Sequence, residues 1–374
     1  MGYLKKRIVN KISNLIRNII RDEGRRVNSV SIKIDRLLSD IEDLNRKIDM
    51  YAFAFCRKDG EEELEARERM FRALPKPVGF MSLYQEVNTR LLAELSEICK
   101  NNGLKYWLWS GSHLAAVTRG AAIPWDDDID VCMMRDDFNA LMKILESNKE
   151  FQINVVYDAY VYNRQYRFIS KEKNIHNFID IVPCDFCSDD DLLLNYQYKK
   201  MRQALKDEFE GCSKLDYWRE KKYLYKKGSR IDVYQNTACD RLDYDQEKAN
   251  EIIAVIDVVF EKYIRRAKNM GLLCGAKKAK AIAYGLDNMS SPINRTDIWP
   301  YGVIFPTRIL KYENIKVSVA GESEEYCDIC FPDIQWPTVP NRLPDMHVSE
   351  NMKNDEKTIM AMKKFVNREN KDRN

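Results

Sequence analysis

The sequence predicts an α/β protein of the α+β kind, a mixed sheet flanked by helices and preceded by a helical extension. Three observations predict it. Between residues 83 and 270, short apolar runs bounded by turn residues alternate with longer segments of helical period. An acidic run, Asp126-Asp127-Asp128-Ile129-Asp130, leads directly into Val131-Cys132-Met133-Met134, which reads as a buried strand. The first 55 residues carry helical stripes instead.

In residues 1–22, Leu4, Ile8, Ile12, Leu15, Ile16, Ile19 and Ile20 form one apolar stripe, and Lys5, Lys6, Arg7, Lys11, Arg17 and Arg21 occupy the rest. Such a basic amphipathic helix suits an anionic membrane surface, and it suits packing on its own catalytic domain or on a partner equally well. Gly24 breaks the pattern. Residues 27–55 then keep a heptad, with Val27, Ile34, Ile41 and Ile48 at a and Val30, Leu37, Leu44 and Tyr51 at d. β-branched a positions with leucine-rich d positions favour a parallel two-stranded coiled coil, hence a homodimer through 27–55. The competing reading is a long amphipathic helix folded against its own chain. Residues 56–78 read as a short charged helix and a stiff Leu74-Pro75-Lys76-Pro77 linker.

Residues 79–350 are the expected catalytic domain. A helix from Leu83 to Lys100 precedes a strand from Lys105 to Trp109, a Ser110-Gly111-Ser112 turn and a helix from His113 to Val117. After the acidic strand, Arg135–Glu146 has a helical stripe. Ile153–Val156, Tyr166–Ile169 and Phe178–Val182 read as strands. Residues 191–227 read as helix, Gln246–Met270 is an amphipathic helix, and 351–374 is a charged tail.

Alternate side chains of a strand share a face, so Asp126, Asp128 and Asp130 are expected to point the same way. Clustered carboxylates repel and raise one another's pKa, a cost that a divalent cation removes. Oxygen-only ligands select Mg²⁺ or Mn²⁺. The Gly111-Ser112 turn before a helix start offers backbone N–H groups to a phosphate.

The stretch GSHLAAVTRGAAIPWDDDID, residues 111–130, resembles the signature of the LicD family, which includes bacterial phosphocholine transferases and animal fukutin-related proteins. The resemblance implies a nucleotidyltransferase-like fold with a third carboxylate on a neighbouring strand, here Asp180 in Phe178-Ile179-Asp180-Ile181-Val182-Pro183, and Asp185 beyond it. Phe331 to Pro337 and His347 resemble a later family segment. The sequence departs from the family at His113, where an aliphatic residue is usual.

On that resemblance, Asp128, Asp130 and Asp180 are the catalytic carboxylates and, with Asp126, the metal ligands. Gly111, Ser112 and Arg119 hold donor phosphate. The implied reaction moves a phospho-alcohol such as phosphocholine from a cytidine-diphosphate (CDP) donor to a glycan hydroxyl, on an acceptor that is lipid-linked if residues 1–22 bind membrane. Two alternatives stand beside it: a nucleotidyltransferase adding a nucleoside monophosphate to a small molecule or sugar, and an inactive membrane-associated coiled-coil scaffold.

Charge and cysteines bound the rest. Lys and Arg total 61 against 58 Asp and Glu, a net charge of +3, which argues against a nucleic-acid partner. No apolar run reaches membrane-spanning length and no signal-peptide core stands at the N-terminus, so the expected location is cytoplasmic, with peripheral contact on the inner membrane face. The ten cysteines read as reduced thiols. Cys184, Cys187, Cys327 and Cys330 form two C-x-x-C pairs that also fit a structural Zn²⁺ site.

Overall fold

The structure, a computed structural model, describes residues 51, 55–189, 192–231, 244–288, 298–331, 348 and 350–368. The expected helix in 1–22, nearly all of the expected coiled coil in 27–55, and the segment from Pro332 to His347 lie outside the described residues. The chain divides into two compact units, residues 1–70 and 71–374. In the first, Arg69 holds the chain together locally, donating to Glu61 and to the Cys56 carbonyl. Helix α1 spans Glu63–Arg72.

The second unit is a mixed sheet with helices on both faces. Helix α2 (Phe80–Asn101) buries Tyr84, Val87, Leu91, Leu92 and Leu95, one stripe at steps of three and four. Strand β1 (Tyr106–Leu108), helix α3 (Ser110–Thr118), strand β2 (Asp130–Met134) and helix α4 (Arg135–Glu146) follow. Asp136 and Asp137 in the first turn of α4 suit the positive end of its dipole. Strands β3 (Phe151–Asp158) and β4 (Asn163–Ser170) form a hairpin that leads to β5 (Phe178–Cys187).

Next come α5 (Leu192–Gly211), α6 (Asp216–Lys221) and β6 (Tyr223–Tyr225), so the end of the segment expected to be helical is a strand paired with β3. The Asp245 carboxylate caps α7 (Gln246–Asn269) by accepting from the Glu247 and Lys248 amides. Strands β7 (Ala281–Tyr284) and β8 (Ile298–Pro300), helix α8 (Tyr301–Ile304), the β9 (Arg308–Tyr312) and β10 (Ile315–Val319) hairpin, and α9 (Ser323–Cys330) were not foreseen from the sequence. The tail contains α10 (Glu350–Asn354) and α11 (Glu356–Val366), and α11 buries Met362 and Phe365 against the core.

Among the described strands the sheet runs β1-β2-β5-β4-β3-β6, with β7 on β5 and β8 on β7. The β2–β5 pair is parallel and the others are antiparallel. Strand β2 is buried on both faces, as its unbroken apolar run requires. Val131 and Met133 join the larger core, while Cys132 and Met134 join a second core with Trp107, Trp299 and Tyr326. Only Asp130, at the open end of β2, keeps solvent contact.

Candidate metal and phosphate site

The parallel register of β2 and β5 makes the site. It pairs Asp130 with Asp180, so two carboxylates from distant sequence stand side by side at the same end of adjacent strands. Asp128 joins them: one oxygen from each of Asp128, Asp130 and Asp180 lies within 4.8 Å of the others. Among the described residues, this is the one group of His, Cys, Asp and Glu side chains with spacing that could hold an ion.

Asp126 to Ile129 form an irregular loop, not the expected strand start. The ladder begins only where the Asp180 amide donates to the Ile129 carbonyl at 2.9 Å. Alternation nonetheless survives in the loop, since Asp127 and Ile129 are buried while Asp126, Asp128 and Asp130 keep partial exposure. Asp126 lies beside Asp128, hydrogen-bonded to it, and is outside the close trio. Asp127 serves as an anchor, accepting from the Val348 amide at 3.1 Å.

Helix α2 holds the loop from behind. The Gln85 amide donates to the carbonyls of Ile123 and Asp126, both at 2.8 Å. Asn88 donates to the Asp127 carbonyl at 3.1 Å and accepts from Asn177 at 2.7 Å. Asp130 is pinned on both backbone atoms: its amide donates to Ser112 Oγ at 3.0 Å and its carbonyl accepts from the Trp109 amide at 2.9 Å. The buried Ser112 hydroxyl therefore positions a carboxylate. Gly111 opens α3 so close to the acids that a Cβ there would stand 3.0 Å from Asp126 Oδ2. The positive end of α3 and the acid cluster thus share one place.

Arg119 is committed elsewhere. Its guanidinium donates to the Phe71 and Leu74 carbonyls at 3.1 Å each and lies over the Phe71 ring. A basic residue that the sequence did not reveal is Arg167, almost fully buried and in register with Asp180 across β4 and β5. Its Nε donates to Asp180 Oδ1 at 3.0 Å, and the guanidinium stacks 3.8 Å from the Phe178 ring centre. Its one sequence signal is an arginine inside the apolar run Tyr166–Ile169.

Burial, then repulsion from Asp128, Asp180 and Asp126, pushes the Asp130 carboxyl well above the usual range, with Arg167 opposing. Asp126 is pushed up to about 6 by burial, against the hydrogen bond from Asp128. An oxygen-only donor set this close, carrying more negative charge than Arg167 offsets, fits a hard divalent cation such as Mg²⁺ or Mn²⁺.

The cysteine pairs do not fit a zinc site. Cys184 and Cys187 lie three apart on β5, so the pleat turns them to opposite faces, Cys184 toward Cys132 in the smaller core and Cys187 into the larger one. Cys327 contacts His113 Nδ1 at 3.5 Å. Asp185 joins a second ionic cluster, where Arg135 bridges it to fully buried Asp287, and Asp287 also accepts from Arg164 at 2.5 Å and Tyr166 at 3.1 Å.

A helix start and a carboxylate trio thus stand together at the open end of a parallel strand pair in a mixed sheet flanked by helices. The model of the LicD/FKTN/FKRP nucleotidyltransferase domain family matches residues 103–210, which include all three carboxylates. An uncharacterized protein of Rickettsia typhi is 29% identical over 147 residues, covering 36% of this chain and 44% of that protein. An uncharacterized protein of Rickettsia prowazekii is 32% identical over 108 residues, covering 27% and 38%. The matches therefore span less than half the length of either relative.

Proposed function

We propose that the second unit is a metal-dependent transferase that moves a phospho-alcohol from a CDP-linked donor to a glycan hydroxyl. The observation that carries this reading is the Asp128, Asp130 and Asp180 cluster inside the segment matching the LicD family model. These three residues would hold Mg²⁺ or Mn²⁺, which when bound supplies positive charge to the diphosphate oxygens. Asp126 supports Asp128 through their hydrogen bond. The first turn of α3, starting at Ser110 and Gly111, offers amide donors to donor phosphate.

In the reaction the acceptor oxygen forms a bond to the phosphorus bearing the alcohol. The bond from that phosphorus to cytidine monophosphate (CMP) breaks, and the hydroxyl proton passes to a carboxylate. Asp180, held by Arg167, either takes that proton or completes the ligand set.

The family description supports a second reading, transfer of a nucleoside monophosphate. The two differ in which phosphorus is attacked. Incubating the protein with a panel of CDP-alcohols, Mn²⁺ and a glycan acceptor distinguishes them. The first reading expects CMP release and an acceptor heavier by a phospho-alcohol. An acceptor carrying a nucleotide selects the second, and absence of any metal-dependent product with every donor removes both.

The remaining sequence expectations belong to this proposal: residues 1–22 contact an anionic inner membrane face, residues 27–55 form a homodimer, and the acceptor is lipid-linked. Their support is the basic stripe and the heptad. Among the described residues no helix is long and apolar enough to cross a membrane.

A further inference from the structure

The C-terminal half of α7 and the turn after it hold a charge concentration that the reaction chemistry does not use. From residue 262 to 280 the chain carries Lys262, Arg265, Arg266, Lys268, Lys277, Lys278 and Lys280 without one acidic residue. All seven are exposed. Lys262 pairs with Glu208 and Lys280 with Asp189, while Arg265, Arg266, Lys268, Lys277 and Lys278 make no ion pair among the described residues. The exposed acid nearest in sequence is Glu261.

The fold brings the two stretches together. Leu272 to Cys274 and Lys280 are tied by backbone hydrogen bonds to Phe186, Cys187 and Ser188, so the end of α7 and the Lys277–Lys280 turn converge on the end of β5. Favourable placement at a helix C-terminus accounts for Arg266 and Lys268 but not for the three lysines beyond Gly271.

Apolar groups stand among these cations. Val258, Lys262, Arg265 and Asn269 follow one another at helical steps on the outward face, and with Arg266 and Met270 they line a depression of about 380 Å³. Val258 is 69% exposed and Met270 50%. Aliphatic side chains ringed by lysine and arginine suit the boundary between headgroups and acyl chains. A single-strand nucleic acid site would instead present aromatic rings for stacking, and the rings nearest in sequence, Tyr263 and Phe260, are buried.

We propose that this patch docks the catalytic unit on an anionic lipid surface. The proposal stands independently of the chemistry at the acid cluster. Asp180 and Cys187 are seven residues apart on β5, so the patch lies about 23 Å along the strand from the carboxylates. The contact therefore leaves the acid site free.

The test is sedimentation of the full-length chain with phosphatidylcholine vesicles, with and without phosphatidylglycerol. Each basic residue near an anionic surface strengthens attachment roughly five-fold. The combined variant Arg265→Glu, Arg266→Glu, Lys277→Glu and Lys278→Glu is expected to lower partitioning onto anionic vesicles at least ten-fold. Replacement of the same residues by Arg265→Lys, Arg266→Lys, Lys277→Arg and Lys278→Arg is expected to preserve it. Residues 1–22 stay unchanged throughout, so any difference reports on this patch. Thermal melting checks that each variant folds, and if the glutamate variant does not, glutamine at the four positions gives the same reading. Unchanged vesicle binding after charge removal overturns the proposal, as does wild-type protein that binds RNA or heparin but not anionic vesicles.

Discussion

Asp130 and Asp180 are register partners across the parallel strands β2 and β5, and Arg167 is the register partner of Asp180 on the other side. The sheet thus sets acid, acid and base in one row, with Asp128 added from the loop before β2.

That row predicts opposite effects on activity and on the stability of the metal-free protein. Asp130 is half-buried among like charges, and its raised pKa means the folded state resists its ionisation at neutral pH. Asp130→Asn removes the repulsion, so the metal-free variant is expected to melt at or above the wild-type temperature while CMP release is lost. Mn²⁺ at about 100 times its Kd stabilises a binding protein by about 2.7 kcal/mol, and the variant should lose that gain. Differential scanning calorimetry with and without Mn²⁺ reads both effects. A metal-free Asp130→Asn protein that melts well below wild type contradicts the assignment.

Arg167 predicts a stability loss. Taking one partner from a buried ion pair strands the other charge, at about 3–5 kcal/mol. Arg167→Met keeps apolar contact with Phe178 but leaves Asp180 facing Asp130 without a cation. Urea unfolding of the metal-free protein should show that loss. The double variant Arg167→Met with Asp180→Asn should recover most of it, because Asp180 is then no longer a stranded charge.

Local patterns made the acid loop legible, and distant pairings hid its supports. The spacing of Asp128 and Asp130 and the apolar run after them place both on the open side of β2, and resemblance supplied Asp180. Gln85, Asn88, Asn177 and Arg167 carry no comparable signal, because each acts through a partner 13 to 93 residues away. The strand expected from Asp126 fails for the same reason: the ladder starts where β5 supplies a partner, at Ile129 and Asp180. The cysteine spacing was visible in the sequence, but the β5 pleat that separates Cys184 from Cys187 was not. Strands β7 to β10 are three to five residues long, too short for a period to show.

Gly285 predicts how tightly the second ionic cluster is built. A Cβ at this position would collide with Arg135 Nη2 and Asp287 Oδ1 and stand 3.0 Å from the Pro183 carbonyl. Burial alone would raise the Asp287 pKa, but the Arg135 and Arg164 guanidiniums hold it well below the carboxylate range, so the pairing is essential to a charge with no solvent access. Gly285→Ala must displace those partners and is expected to cost about 3–5 kcal/mol. Equilibrium denaturation measures it, and a loss below 1 kcal/mol (roughly the typical single-substitution effect) would show the cluster can shift freely.

His113 predicts the stability change on mild acidification. The ring is fully buried on α3, with Nδ1 against Cys327, Nε2 without a hydrogen-bond partner among the described residues, and the Tyr326 ring 4.4 Å away. Burial, and then the Arg308 charge, pushes its pKa down to about 3. The unfolded chain binds this proton near pH 6.5 and the folded chain does not, so its contribution is fully present above about 6.5. As pH falls below that value, stability drops by about 1.4 kcal/mol per unit until the folded histidine titrates. His113→Leu puts an aliphatic side chain there and removes both the slope and an unpartnered buried nitrogen. The variant is therefore expected to match or exceed wild type at pH 7.5. Between pH 7.5 and 5.5 wild type should lose about 1.4 kcal/mol more than the variant. Parallel loss in the two proteins would mean that His113 takes up its proton inside the fold.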